Sequence, residues 1–332
     1  MPEEAIVTNK FSVLSRQFSV KAQEWSLRTG NYSSKCSSRL HLFRIRAKWM
    51  EHLPMDSMQQ RAEEAEEALD LGTALALWKE LAEKNQESFF FLRYGSVARK
   101  LERWEEAEIA LSHALRLDLD SSLIMENIGI LWLHRPDQNE TDSLECAKKW
   151  FLQALKHERL ARTLTLLGAT YVALAEDVQA GDAFEEAIRI DPDYEEALYN
   201  LAKLEEEMNP QRSICLLERA IRIDPDYAIA HQVLGRLFQK TQDLVQAEYH
   251  FRRSLEIDPA DYWSNMYMAN LLGVQGRNGE AEETYRFAVN LHPDMAAGFE
   301  FFARFLESIG KAEEAARVRA QSKTNPKNQE GF

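Results

Sequence analysis

The closest approach in this 332-residue sequence to a phosphate-binding loop is the run Gly273, Gly276 and Gly279. Such loops work because glycine amides approach an anion at the start of a helix that follows a strand. Here apolar residues at helical spacing flank the run and no strand pattern precedes it, so the glycines read as a reversal between two helices. The paired carboxylates Asp191/Asp193 and Asp224/Asp226 offer the oxygens a divalent cation would take. They flank Pro192 and Pro225, however, where helix capping accounts for them. Glu63, Glu64, Glu66 and Glu67 read as a solvated helix face and His231 as a packing residue, not as an acid–base pair or a catalytic base.

Cys36, Cys146 and Cys215 are far apart, form no CxxC pair and have no histidine at ligand spacing. That excludes a disulfide framework and a zinc site of the usual spacing. HExxH, GxSxG and Cys-His patterns do not occur. The sequence therefore points to no enzyme, no metal and no cofactor.

The elements that would position any site follow from the prolines. Pro192, Pro225, Pro259, Pro293 and Pro326 are 33, 34, 34 and 33 residues apart, and four of them sit in the phrases IDPDY, IDPDY, IDPADY and LHPDM. Proline lacks an amide donor and keeps the preceding residue out of the helical region, so each phrase should end one helix and begin another. Asp193, Asp226, Asp261 and Asp294 stand where they could cap the helix that follows.

Between the prolines, apolar residues recur at helical spacing in two blocks separated by a short turn. In the clearest copy Leu164, Leu167, Gly168 and Tyr171 mark a first helix, and Ala180, Phe184 and Ala187 a second. The set returns as Leu234, Gly235, Phe238, Ala247, Phe251 and Ser254, and as Met268, Ala269, Leu272, Ala281, Tyr285 and Ala288. A copy one residue shorter has Leu198, Leu201, Ala202, Ser213, Leu217 and Ala220, with Asn209 and Pro210 at its turn. Upstream copies lack the proline: Tyr94, Gly95, Ala98, Ala107, Leu111 and Ala114, then Ile128, Gly129, Trp132, Ala147, Phe151 and Ala154, the latter with about six extra residues at 134–145. A divergent hairpin before these uses Ala65, Leu69, Ala74 and Trp78. The last copy, Phe299, Phe302, Ala303, Leu306 and Ala315, has Arg319 where the others carry a large apolar residue. Its degeneracy suits a terminal repeat, which needs a polar outer face.

This pattern resembles the tetratricopeptide repeat family over about residues 56–326, as seven or eight helical hairpins. The resemblance implies an all-α, right-handed superhelical solenoid whose first helices line a concave groove for an extended peptide or a partner helix. Residues 1–55 form a basic arm rich in serine and aromatics, and 327–332 a short tail. Positions three before and one after the small residue of each first helix adjoin its packing stripe. In the later repeats these are Tyr199 and Lys203, Gln232 and Arg236, Met266 and Asn270, and Glu300 and Arg304; Arg162, Asn200, Trp263 and Tyr267 are neighbours. Aromatics beside cations and amides suit capture of a peptide, although Tyr199, Trp263 and Tyr267 could equally pack between repeats. One family subtype grips a chaperone's C-terminal carboxylate with lysine, asparagine and arginine at fixed first-helix positions. That set is not reproduced in these repeats, which argues against a chaperone tail as partner.

The net charge of −14 discourages whole-surface binding to nucleic acid or anionic lipid. Residues 1–50 are the exception, with nine basic against three acidic side chains, so 51–332 carry −20. That arm is open to several readings: a segment that folds on a partner, an RNA or membrane-surface contact, an organelle-targeting sequence, or residues upstream of a true start at Met50 or Met55. Within it, 41–52 has the best helical pattern. No apolar run is long enough to span a bilayer, and there is no secretory signal pattern. The default expectation is a soluble cytoplasmic protein whose partner is another protein, with self-association open.

Overall fold

The computed structural model describes residues 57–136 and 139–324, and the basic arm and the C-terminal tail lie outside these. Among the described residues there are sixteen helices and no strand: α1 Ser57–Glu67, α2 Leu71–Asn85, α3 Ser88–Lys100, α4 Trp104–Leu117, α5 Ser122–His134, α6 Glu140–His157, α7 Ala161–Ala173, α8 Asp177–Ile190, α9 Glu195–Glu205, α10 Pro210–Ile223, α11 Ala228–Lys240, α12 Leu244–Ile257, α13 Tyr262–Val274, α14 Asn278–Leu291, α15 Ala296–Ser308 and α16 Ala312–Thr324. Odd-numbered helices are the first of each hairpin and even-numbered ones the second. No described helix is long and apolar enough to cross a membrane. The chain divides into two compact units within α9, after Asn200.

Each hairpin closes on the small position of its first helix. A Cβ added to Gly129, Gly168 or Gly235 would lie 2.6, 2.5 or 2.5 Å from the ring of Phe151, Phe184 or Phe251, so these aromatics rest directly on bare backbone. Gly95 meets the smaller Leu111 in the same way. All four partners are fully buried, as are Trp78 and Leu131 in the first unit and Leu217 and Phe302 in the second. Burying such side chains contributes about 1.5–3 kcal/mol each, and this is what closes the two helices of each hairpin on one another.

The reversals are as regular as the core. Glu102, Ala175, Gln242, Gly276 and Gly310 occupy the same repeat position, and all have positive φ, from 58° to 83°. At each, the amide of the next residue bonds back to the carbonyl five residues earlier, as in Glu176 to Tyr171 at 2.8 Å and Arg277 to Leu272 at 2.9 Å. These are left-handed helix ends that glycine favours. The Gly273–Gly276–Gly279 run is thus explained without an anion. Gly276 supplies the positive φ, and Gly273 lies against the Phe305 ring, which an added Cβ would approach to 3.0 Å.

The proline phrases work differently from the expectation. Asp261 does cap α13, its Oδ2 accepting the Ser264 amide at 2.7 Å. Asp226 and Asp294 do not cap, because Tyr227 and Met295 take the cap positions of α11 and α15 without a side-chain bond. The first aspartate of the phrase does the holding instead. Asp191, Asp224 and Asp258 accept the amides of Asp193, Asp226 and Ala260 at 3.1, 3.1 and 3.2 Å, bridging the proline that has no amide to give.

Three upstream expectations are also corrected. Leu69 is not a core residue: it is exposed with φ 59°, ending α1 as the left-handed turn residue. Glu66 is not a solvated side chain, since its carboxylate accepts from Trp78 Nε1 at 2.6 Å and Arg93 at 2.7 Å and pairs with Lys100 at 3.4 Å. The extra residues near 134–145 do not all enlarge a turn. Most lengthen α6, which has 18 residues against 14 in α8.

Candidate functional site

The sequence-selected residues lie in both units. In the first, Tyr199 is buried, and half-buried Asn200 spends its amide on the Glu196 carbonyl at 2.8 Å. The remaining nine belong to the second unit and to the first helices α9, α11, α13 and α15.

Two of those nine are drawn into the stack. Gln232 is 7% exposed and donates to Asp261 Oδ2 at 2.7 Å and Ser264 Oγ at 3.2 Å, tying α11 to the start of α13. Met266 is 4% exposed, in the apolar cluster that holds Phe251, Leu272 and Tyr285. Their physical role is adhesion between hairpins. In α11 and α13 the position three before the small residue is therefore turned inward more than to solvent, and Tyr199 at the same position is buried as well.

Lys203, Asn270 and Arg304, all one residue after the small position, are exposed, and Arg236, Trp263, Tyr267 and Glu300 are half-buried. The Arg236 guanidinium lies over the Tyr267 ring at 5.6 Å, and Tyr267 stacks on Trp263 at 6.0 Å with 26° between the planes. Cation and rings thus make one stack that runs from α11 to α13. Asn270 accepts from Gln239 Nε2 at 2.7 Å, and its side chain also donates to the Tyr285 hydroxyl, which keeps one of its two amide N–H groups for a ligand.

The cations of this face are less available than their sequence suggests. Arg236 pairs with Glu206, and Arg304 with Glu300 at 3.0 Å. Glu300 also receives Arg319, with contacts at 2.8 and 3.1 Å, and Arg319 pairs with Glu307 as well. Hydrogen bonds first from Arg319 and then from Arg304 hold the Glu300 carboxyl down at about 2. Arg319 thus trades the large apolar residue of its repeat position for two carboxylates. Its partners follow only from the fold, since Glu300 is 19 residues away.

His231 and His250 form the other polar pair of this unit. Both are buried, and their Nδ1 atoms share one proton at 2.9 Å, with the His231 Nε2 facing the Pro225 carbonyl at 3.3 Å and His250 stacked on Phe238. Among the described residues no group of three or more His, Cys, Asp or Glu could hold a metal ion, and this pair is an internal tie.

No protein-family model matches the chain. No curated protein matches it either. Solved structures do. In the APC/C hetero-tetramer Cut9–Hcn1 the similarity has a TM-score of 0.63 at 12% identity, over 77% of this chain and 50% of that one. For Pseudomonas aeruginosa pilF the TM-score is 0.58 at 16% identity, over 68% of this chain and 99% of that one. For the C-terminal part of a TPR repeat-containing protein from Cytophaga hutchinsonii it is 0.51 at 17%, over 73% and 99%. At such identities the likeness concerns fold alone: this chain has the all-α, helical-hairpin repeat fold of tetratricopeptide-repeat proteins.

Proposed function

We propose that this chain is a non-catalytic scaffold that binds an extended segment or a helix of a partner protein along the first helices of its second unit, from Lys203 to Arg304. The observation that carries the reading is the Arg236–Tyr267–Trp263 stack, with Lys203, Asn270 and Arg304 exposed on first helices of the same unit. Rings of low conformational entropy supply contact area, while the Asn270 amide and the cations supply hydrogen bonds to a peptide backbone or an acidic side chain. A partner recovered by affinity purification from the native source, and identified by mass spectrometry, provides the binding segment. Its affinity should fall at least about tenfold for Trp263→Ala, the size expected of a truncated aromatic anchor, and measurably for Arg304→Ala. Unchanged affinity in both variants, with unchanged melting, would refute the assignment.

A second reading, contact through the outer surface as a subunit of an enzyme complex, is favoured by a different observation. Ile109, Val178, Val245, Tyr249 and Phe287 are all on second helices and all at least half exposed. The same assay separates the readings, because an outer-face partner would lose affinity for Tyr249→Ser and Phe287→Ser and keep it for Trp263→Ala.

A further inference from the structure

The last helix is attached to the array differently from the second helices before it. From Trp78 of α2 to Tyr285 of α14, every second helix places a large apolar residue four positions after a fully buried alanine or serine, and each of these large residues is at most 3% exposed. In α16 the residue four after Ala315 is Arg319, whose side chain is 35% exposed. Among the described residues of α16 only Ala315 and Val318 are buried apolar side chains, whereas α14 buries Ala281, Tyr285, Ala288 and Val289.

Charge stands in for the missing anchor. Arg319 donates through Nε to Glu300 Oε2 at 2.8 Å and through Nη2 to Glu300 Oε1 and Glu307 Oε2, both at 3.1 Å. The two carboxylates lie about two turns apart on α15, so one guanidinium ties α16 to a length of its partner helix. Glu314, in the first turn of α16, pairs with Arg286 of α14 at 2.9 Å. All five of these side chains are about a third exposed or more.

Helix α15 is anchored the other way. Its Phe302 and Phe305 rest on the Tyr285 ring of the preceding hairpin, with centroids 5.6 and 5.2 Å away, and the Arg286 guanidinium lies over Phe302 at 5.7 Å. Phe305 also lies against Gly273 of α13. The attachments of the two helices therefore differ in kind. Exposed ion pairs are individually weak, and salt screens them, whereas apolar contacts are not weakened by salt.

We propose that α16 is a releasable strap, a terminal helix that undocks from α15 as a unit when its ion pairs are screened or removed, while α15 and the hairpins before it stay folded. Undocking uncovers Ala303 and Leu306, which share the apolar cluster of Ala315 and Val318 and are fully buried when the strap is closed. The array thus has an end that opens and closes without disturbing the stack behind it. This inference is independent of where a partner binds.

Hydrogen exchange read by mass spectrometry on the full-length chain tests it, with the α12 amides as the internal reference. Raising sodium chloride from about 0.05 M to about 1 M should speed exchange of the α16 amides about tenfold relative to α12, the size expected when a few exposed pairs are screened, and should leave α15 unchanged. The double variant Glu300→Gln/Glu307→Gln should exchange in α16 at low salt as fast as the wild type does at high salt. Arg319→Phe, which restores the apolar anchor of the other hairpins, should slow exchange in α16 and abolish its response to salt.

Exchange in α16 as slow as in α12 at both salt concentrations would overturn the proposal. Loss of protection in α15 together with α16 would also do so, because the last hairpin would then open as one piece. Fast exchange indifferent to salt and to the substitutions would reduce the helix to an ordinary fraying chain end. Should Arg319→Phe fail to fold, the double variant decides alone, and exchange equal to that of the wild type at low salt would overturn the strap.

Discussion

Gly168→Ala is the sharpest test of how the hairpins close. The new methyl carbon would lie 2.5, 2.7 and 2.9 Å from Cε1, Cδ1 and Cζ of Phe184, where unstrained carbon contacts are about 3.5–4.0 Å. Phe184 is 1% exposed, so its ring cannot swing into solvent, and the two helices must separate by about 1 Å or the ring must leave its rotamer. Overpacking of this kind costs roughly 1–3 kcal/mol, against which alanine returns about 1 kcal/mol of helix propensity. The expected net loss is about 0–2 kcal/mol. Phe184→Leu in the same background should recover most of the strain, because the chain itself buries Ala202 and Leu217 at the matching positions of the next hairpin. The coupling in that double-mutant cycle should be about 1–2 kcal/mol. Repeats contact mainly their neighbours and need not unfold as one, so urea denaturation should be paired with hydrogen exchange of the α7 and α8 amides. If Gly168→Ala alone stabilised α7 by about 1 kcal/mol, the propensity would be acting unopposed and the close approach of helix and ring would be refuted.

The turn position offers a reciprocal pair. Gly276→Ala, at φ 76°, should cost about 1 kcal/mol, while Ala175→Gly, relieving φ 58° at the equivalent place, should gain a few tenths to about 1 kcal/mol, both read by urea denaturation. The buried histidine pair should make the second unit acid-sensitive. Burial first, then the charge of His231, pushes His250 down to about 4, and burial also lowers His231. An unfolded histidine takes its proton near pH 6.5, so between that pH and about 4 the unfolded state binds more protons and stability falls as pH falls. The loss from His250 should be of order 3 kcal/mol, measured as the urea midpoint of the second unit against pH, and His250→Phe should remove the larger part of the slope. A flat profile in the wild type would show that the pair is not buried as a neutral unit.

The proline spacing, the phrases around it and the two helical blocks between made the hairpin repeat legible from residues 161 to 293, because each of these signals is local and recurs in phase. Gly168 and Phe184 were legible as recurring positions of the two helices, but the structure is what rests the ring on the glycine. Where the phrase lacked its proline the sequence was less clear: Leu69 reads as apolar core, yet it lies at a chain reversal whose dihedral angle no composition reveals. The aspartates of the IDPD phrases were recognisable as boundary residues, but which of the two bonds across the proline depended on backbone geometry.

For the candidate face, sequence determined which residues share a first helix, and tertiary structure decided which of them meet solvent. Gln232 and Met266 occupy the same repeat position as Glu300, yet the first two have a neighbouring first helix beyond them, while Glu300, in the last hairpin, faces Arg304 and Arg319. Charge partners were the least legible feature. Glu206 for Arg236 lies 30 residues away in the preceding hairpin and Arg319 for Glu300 lies 19 residues away in the same one, and helix packing, not a motif, sets both distances. The sequence by itself determined a repeat and the apolar positions of its core, because those signals are local and recur in phase; which polar side chains meet depends on how helices pack within and between hairpins, and only the tertiary structure decided that.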